Sequence, residues 1–383
     1  MKCWIWFLTA CIVSVDMWAQ PLPQRHEIEA HLRFLADDAL EGRKVGTRGH
    51  DIAAQYIETQ LRLAGVQLVP GKVTFRQPVA FDRQSPAKSG NLTWGKINWT
   101  HGEEMIWRAG KETELEAAPV FVGYGEIDSS AGVDDLANKS IEGKIVIAYL
   151  GTRNSRELTE IAQASREKRA RFQAAGAVAL LEIYKLNIPW PYIKTFLMRE
   201  QVRVQEDGAT SSGATPLLYG WIQEEPESGW ATLLEKESGQ MRLQSSGNPN
   251  GAFTSDNIIG WIPGSDAEMA DEYLIISAHF DHVGIGNPAP ADPTDSIYNG
   301  ARDNAIGTTA LLAAARYFAE NPPKRSVLLM ALTAEESGLL GSQYYVEHPW
   351  LPLSKAVLDF NSDGGGYNDT SAVAVMGYDR CGV

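Results

Sequence analysis

Apolar residues recur at helical spacing in two stretches near the start of the chain: Ile28, Leu32 and Leu35 within residues 26–36, and Ile52, Tyr56, Ile57 and Leu61 within residues 52–64. Such spacing puts the apolar side chains on one face, so two amphipathic helices are expected, the second stopped by Gly65. Between them Leu40-Glu41-Gly42-Arg43 and Gly46-Thr47-Arg48-Gly49 read as a glycine-rich loop. From 81 to 109 the pattern loosens into short alternating pieces, with Asn91-Leu92-Thr93 and Asn98-Trp99-Thr100 as polar turns. A different texture begins near Ala118, with strands at 120–125, 145–150 and 178–183 around a helix at 168–175, and predicts a small inserted α/β module. The turn formers Ser245-Ser246-Gly247-Asn248-Pro249-Asn250-Gly251 are expected as a linker. After it come a strand at 273–277, a helix at 307–318, a strand at 327–332, a helix at 338–347 and a strand at 356–360. Strict alternation of this kind predicts a mostly parallel α/β sheet with helices on both faces. Its ligand crevice lies at the carboxyl ends of the strands.

A chain of 383 residues, 44% hydrophobic and 21% charged, has material for two cores. The net charge of −14 argues against nucleic acid as a partner, since phosphate binding needs basic surface. Residues 1–20 read as an export signal, with Lys2, an apolar run over 3–15 and cleavage after Ala19. That run is shorter than the roughly 20 apolar residues a membrane-spanning helix needs. Leu8-Thr9-Ala10-Cys11 also resembles a lipoprotein cleavage box, a lesser reading that anchors the chain through Cys11. The expected location is therefore periplasmic or secreted. Cleavage after Ala19 leaves Cys381 as the one cysteine of the mature chain, so no internal disulfide forms.

Four short segments carry candidate chemistry: His279-Phe280-Asp281, Asp303-Asn304, Glu335-Glu336 and Asn361-Ser362-Asp363. Each has a plain structural reading by itself. Asp303-Asn304 can cap a helix, the two glutamates can favour a helix N-terminus, and Asp363 before Gly364 can be a turn residue. Their joint placement at successive strand-to-helix junctions of one half favours a metal site. Imidazole and carboxylate donors suit zinc, and a hydrolytic site needs one further carboxylate off the metal to act on the water, a division of labour open to Glu335 and Glu336. Asp281 is placed to accept a hydrogen bond from the ring nitrogen of His279 that faces away from the metal.

The segments Ser277-Ala278-His279-Phe280-Asp281-His282-Val283-Gly284, Ser296-Ile297-Tyr298-Asn299-Gly300-Ala301-Arg302-Asp303-Asn304-Ala305 and Ala334-Glu335-Glu336-Ser337-Gly338-Leu339-Leu340-Gly341-Ser342 resemble the M28 family of zinc peptidases, mainly aminopeptidases. The likeness runs from about His26 to the end, and residues 115–225 look like the protease-associated (PA) domain inserted in such enzymes. With the export signal at 1–19, it implies peptidase residues at 20–114, a PA-like domain at 115–245 and the catalytic half at 250–383. The implied fold is phosphorylase/hydrolase-like, with two zinc ions about 3.5 Å apart bridged by one carboxylate. Carried over by position, His279 and Asp363 hold the first zinc, Asp303 bridges, Glu336 binds the second, Asp281 orients His279, and Glu335 is the general base. Peptides with a free N-terminus are the implied substrates. The family's second histidine ligand, on a later loop beyond a strand near Ala372, has no counterpart before Val383, so a C-terminally truncated and nearly inactive form is expected. His282 is expected to pack beside the site and is the first suspect should another residue supply that ligand, while His348 precedes Pro349 at a helix end. Two other readings are a glutaminyl cyclase-like enzyme and a non-catalytic binding protein with a vestigial zinc site. Hydrolysis of aminoacyl and N-blocked peptides, measured side by side, separates the three.

Overall fold

The computed structural model of the chain describes residues 23–155, 157–205, 217–224, 239–288 and 292–365. Two compact units emerge, one made of Met1–Pro78 and Ser255–Val383, the other of Val79–Thr254. The strand expected near Ala372 and residues 1–22 lie outside the described residues.

The first unit opens with the two expected helices, α1 (Arg25–Leu35) and α2 (Arg48–Leu63). Thr47 caps α2 through its hydroxyl, which accepts from the His50 amide, and Gly65 in the left-handed region turns the chain out of it. Ala53, Ala54, Ile57 and Leu61 form the buried stripe; each of the two large side chains contributes about 1.5–3 kcal/mol relative to exposure.

The sheet strands are β1 (Arg76–Gln84), β2 (Asn250–Ile262), β3 (Tyr273–His279), β4 (Ser326–Leu332) and β5 (Ala356–Asn361), in the order β1-β2-β4-β3-β5, with Gln201–Val204 pairing antiparallel to the last residues of β1 as a sixth strand. Helix α3 (Ile306–Glu320) joins β3 to β4, and α4 (Leu340–Glu347) joins β4 to β5. Strand β3 is parallel to both β4 and β5, with His279 opposite Leu332 and Ser277 opposite Asn361. Strand β2 runs antiparallel to β4. The sheet is thus mixed rather than mostly parallel, because the strand–helix alternation that enforces parallel pairing begins only at β3; β2 reaches β3 without a crossover helix.

The period of two sorts side chains onto the faces as expected. Val327, Leu329 and Ala331 of β4 pack with Leu35 of α1, Ile57 of α2 and Leu311 of α3. Leu328 and Met330 point the other way, into a cluster with Tyr345 of α4.

The second unit has two larger sheets, besides a two-stranded pairing of Ile127–Asp128 with Val133–Asp134. One is antiparallel, ordered Ile97–Thr100, Gly90–Trp94, Met241–Ser245, Thr113–Ala117. The other is ordered Met105–Ala109, Leu218–Gln223, Ala179–Tyr184, Ile145–Tyr149, Pro119–Phe121. Residues 90–117 therefore belong here, and the expected module boundaries of 115 and 245 widen to Val79 and Thr254. The expected polar turns at 91–93 and 98–100 are strand interiors, with Leu92 and Trp99 buried between outward-facing polar neighbours. Likewise the expected linker shrinks to 246–249, since Ser245 ends one strand and Asn250 begins the next. Among the described residues no helix is long and apolar enough to cross a membrane.

Candidate metal and catalytic site

The candidate residues collect at the carboxyl ends of β3, β4 and β5 in the first unit. His279 is the last residue of β3 rather than the first beyond it, and its carbonyl accepts from the Thr308 hydroxyl at 2.8 Å. Phe280 continues the ladder to Leu332, and Asp281 turns inward, fully buried. The Asp281 carboxylate accepts from the backbone amides of Glu335 at 3.0 Å and Glu336 at 3.2 Å, and so fixes the turn that carries both glutamates. That turn bends at Ala334, whose φ is +55°. A buried polar set braces it from behind. The Thr333 amide donates to Asn257 Oδ1 at 3.1 Å, the Thr333 hydroxyl lies 3.0 Å from His50 Nε2, and Asn257 also donates to Gln77 and Gly341.

Asn304 ties two loops together. Its Oδ1 accepts from the amides of Gly307 and Gly364, and its Nδ2 donates to the Ser362 carbonyl at 2.8 Å. The capping expected of Asp303-Asn304 thus falls to Asn304 alone, leaving the Asp303 carboxylate for other partners. A Cβ on Gly307 would meet the Ser362 carbonyl at 2.3 Å, so glycine is what lets α3 start so close to the Asp363 loop.

His279 Nε2 stands 3.2 Å from Asp303 Oδ1, 3.2 Å from Asp363 Oδ1 and 3.9 Å from Glu335 Oε2. Its other nitrogen, Nδ1, lies 3.2 Å from the Asp281 carbonyl, which can only accept. Nδ1 therefore carries a proton, and Nε2, which faces the carboxylates, is the nitrogen that can serve a metal once its own proton leaves. The orienting oxygen differs from the expected one: the Asp281 carboxylate is 3.7 Å from Nδ1, and its hydrogen bonds go to the glutamate turn instead. A second group lies alongside, His282, Asp303 and Glu336, with His282 Nδ1 at 2.6 Å from Glu336 Oε1. Within each group the donor atoms lie within 4.8 Å of one another, and Asp303 belongs to both.

Electrostatics reflect the crowding of acids. Burial works to lower the His279 pKa, but the nearby carboxylates, Asp281 first and then Glu335 and Asp363, outweigh it and push it up to about 9. The Glu335 carboxyl is raised by burial and by the charges of Asp281, Glu336 and Asp363, against the pull of His279. A cavity of about 190 Å³ opens beside these groups, lined by Ser277, His279, Thr333, Glu335, Asp359 and Asp363 among others.

Arg43, from the glycine-rich loop, was not among the sequence candidates. Its side chain is 1% exposed and donates to the carbonyls of Phe280 at 2.8 Å, Asn299 at 2.7 Å, Gly300 at 3.0 Å and Leu35. Burial lowers its pKa to about 10, opposed by the charges of Asp281, Asp303 and Glu336. The guanidinium therefore holds the His279–Asp281 loop and the Asp303 loop together through their backbones.

Residues 257–380 match the model of Peptidase family M28. A stretch of 114 residues is 34% identical to the vacuolar membrane protease of Saccharomyces cerevisiae, covering 30% of this chain and 10% of that protein. Another of 115 residues is 36% identical to the vacuolar membrane protease of Lachancea thermotolerans, with the same 30% and 10% coverage. The chain thus spans about a tenth of the length of these curated relatives. Among solved structures, the aminopeptidase from Aneurinibacillus sp. strain AM-1 is similar with a TM-score of 0.57 at 21% identity, over 90% of this chain and 71% of that one. That likeness is one of fold, a mixed α/β architecture. The relatives also correct one expectation. They are named for a vacuolar membrane, which contradicts the periplasmic or secreted location read from residues 1–20, and that reading is withdrawn together with its Cys11-anchored variant.

Proposed function

We propose that the chain is a zinc-dependent aminopeptidase, removing N-terminal residues from peptides, with the second unit as a PA-like insertion. The observation that carries this reading is the convergence of His279 Nε2 with Asp303 and Asp363, each at 3.2 Å, while Glu335 stands at 3.9 Å on the open side. One imidazole and two carboxylates with an open position suit zinc. The sharing of Asp303 with Glu336 suits a second ion beside the first. When bound, two such ions lower the pKa of a water and polarise the scissile carbonyl.

The chain's own residues supply the rest. Asp281 holds the backbone of Glu335, so the carboxylate is presented at a fixed place beside the ligands. Its raised pKa suits a base that takes a proton from the attacking water and returns it to the leaving amine. The free α-ammonium of a peptide is drawn to Glu335, the carboxylate not committed to an ion, which favours an N-terminus over an internal peptide bond.

Glu335→Gln tests the reading. Zinc content is expected to stay at the wild-type level while turnover of an aminoacyl chromogenic substrate falls by about 10² to 10⁴, and N-blocked peptides are expected to be poor substrates for the wild type. Full activity in Glu335→Gln, or equal cleavage of blocked and free peptides, overturns the assignment.

A further inference from the structure

We propose that the second unit carries a binding site for a small phosphate or phosphate monoester, formed by the guanidinium groups of Arg108, Arg166, Arg169 and Arg203 beside a floor of Tyr219 and Trp221. It shares no residue with the candidate metal centre, and the peptidase reading does not depend on it.

Like charges gather here with nothing to balance them. Arg166 and Arg169 stand three residues apart on the helix Leu158–Ala174, a spacing that sets two cations side by side. Neither has an acid three or four residues away, since those positions hold Ala162, Gln163, Ser165, Ala170, Phe172 and Gln173. Arg203, on the strand Gln201–Val204, has its pKa lowered by burial and then by the charges of Arg169 and Arg166. Arg108 is the unpaired residue of a β-bulge, between Trp107 opposite Gly220 and Ala109 opposite Tyr219, a distortion that re-aims a side chain. Burial lowers its pKa to about 10, and the charges of Arg203 and Arg169 add to the fall against the pull of Tyr219. Among the described residues none of the four arginine side chains pairs with a carboxylate, and the Nε–H groups of Arg108 and Arg169 are buried without an acceptor. Two acids of the same unit are already engaged: Asp82, across the ladder from Arg203, accepts from Gln205 at 2.8 Å, and Glu182 is held by Lys168, Ser165 and Tyr219.

The aromatic floor fixes where the charges sit. Arg169 Cζ lies 4.7 Å from the centre of the Tyr219 ring, and Arg108 Cζ lies 5.4 Å from that of Trp221. Both rings belong to the strand Leu218–Gln223; the indole N–H of Trp221 donates to the Tyr219 hydroxyl at 2.5 Å, which in turn donates to the buried Glu182 at 2.6 Å. A guanidinium resting on a ring keeps its N–H edge for an oxyanion. A lone carboxylate neutralises one charge and engages one fork, whereas a phosphate monoester brings about two charges and three acceptor oxygens, enough to engage several. The ligand must also be compact, because the net charge of −14 repels a long polyanion while a small one meets only the cluster. Arg166 and Arg203 are exposed, and Arg203 borders an open cavity of about 390 Å³, so the site is reached from solvent.

The test uses the metal-free full-length protein, so that no bound zinc competes for the anion. Isothermal titration calorimetry with inorganic phosphate, glycerol phosphate and acetate is run on the wild type, Arg169→Gln, Arg203→Gln and Arg242→Gln, the last an exposed arginine of the same unit paired with Glu116. The wild type is expected to bind both phosphates, and acetate about tenfold more weakly or worse. Arg169→Gln and Arg203→Gln are expected to weaken both phosphates by about ten- to a hundredfold, and Arg242→Gln to leave them unchanged. Phosphate should also raise the thermal midpoint of the wild type and raise that of neither cluster variant. Arg203 is exposed, so its variant gives the answer even where Arg169→Gln folds poorly. A wild type that binds no phosphate, equal affinity for acetate and phosphate, or unchanged phosphate affinity in Arg203→Gln overturns the proposal. None of these outcomes bears on the zinc site.

Discussion

Replacing Arg43 with methionine removes a guanidinium that satisfies four carbonyls, the buried ones of Leu35 and Phe280 and the half-buried ones of Asn299 and Gly300, while keeping most of the side chain's volume. Hydrogen bonds from a charged donor contribute about 1.5–3 kcal/mol each, but the sum overstates the loss, because the buried charge carries its own desolvation cost. Breaking such a network costs on the order of 3–5 kcal/mol. The loops at 279–282 and 299–305 are where the loss should be felt, since the arginine reaches them across the fold rather than along the chain. The assay is native-state hydrogen exchange of the metal-free protein. At 1.4 kcal/mol per tenfold, the most protected amides of those loops should exchange roughly two to three orders of magnitude faster in Arg43→Met. Arg43→Lys should recover only part of the protection, since an ammonium offers three donors from one point and cannot reach four carbonyls arranged around a planar fork. Acceleration of less than about tenfold in Arg43→Met would show that the two loops hold themselves in place and that the arginine is packing material.

Three further outcomes are expected. Asp303→Ala should lose both ions, since its carboxylate belongs to both donor groups; one full zinc equivalent by elemental analysis removes the bridging role. Zinc affinity should rise with pH. The His279 pKa is pushed up to about 9, so its proton must leave before an ion enters, and calorimetry should show affinity gaining about tenfold per unit between pH 7 and 8; a flat profile refutes this. The sign for folding is opposite: in the metal-free protein the raised pKa contributes stability that is complete below the ordinary histidine value of about 6.5 and is lost as pH rises through about 9. Finally, replacing Val79–Thr254 with a short flexible linker should leave a zinc-binding protein, because every candidate ligand lies in the first unit; a folded variant without zinc binding contradicts that placement.

The helices α1 and α2 and the alternation from β3 onward were legible because one-sided burial writes a period into the sequence. The strands at 90–94 and 97–100 were not, since their outward-facing Asn91, Thr93, Asn98 and Thr100 imitate turn chemistry, and only Leu92, Trp94 and Trp99 betray the buried face. The carboxylates and His279 could be picked out because their residue types suit a metal and they fall at strand ends. Arg43 could not. Its partners at Phe280, Asn299 and Gly300 lie 237, 256 and 257 positions away, a relation that no local pattern encodes. Asp281 was assigned a task performed by its own carbonyl, since nothing in a His-X-Asp triplet says which oxygen faces the ring.

The first unit is built from two stretches of chain separated by the whole of the second. During synthesis α1 and α2 leave the ribosome on the order of ten to fifty seconds before the strands they cover, at about 5–20 residues per second. In that interval Ile57 and Leu61 have no sheet to rest on, and Arg43 has none of its partners from the later stretch. Every metal donor arrives afterwards, so a nascent chain stalled before Ser255 binds no zinc at this site whatever the metal supply.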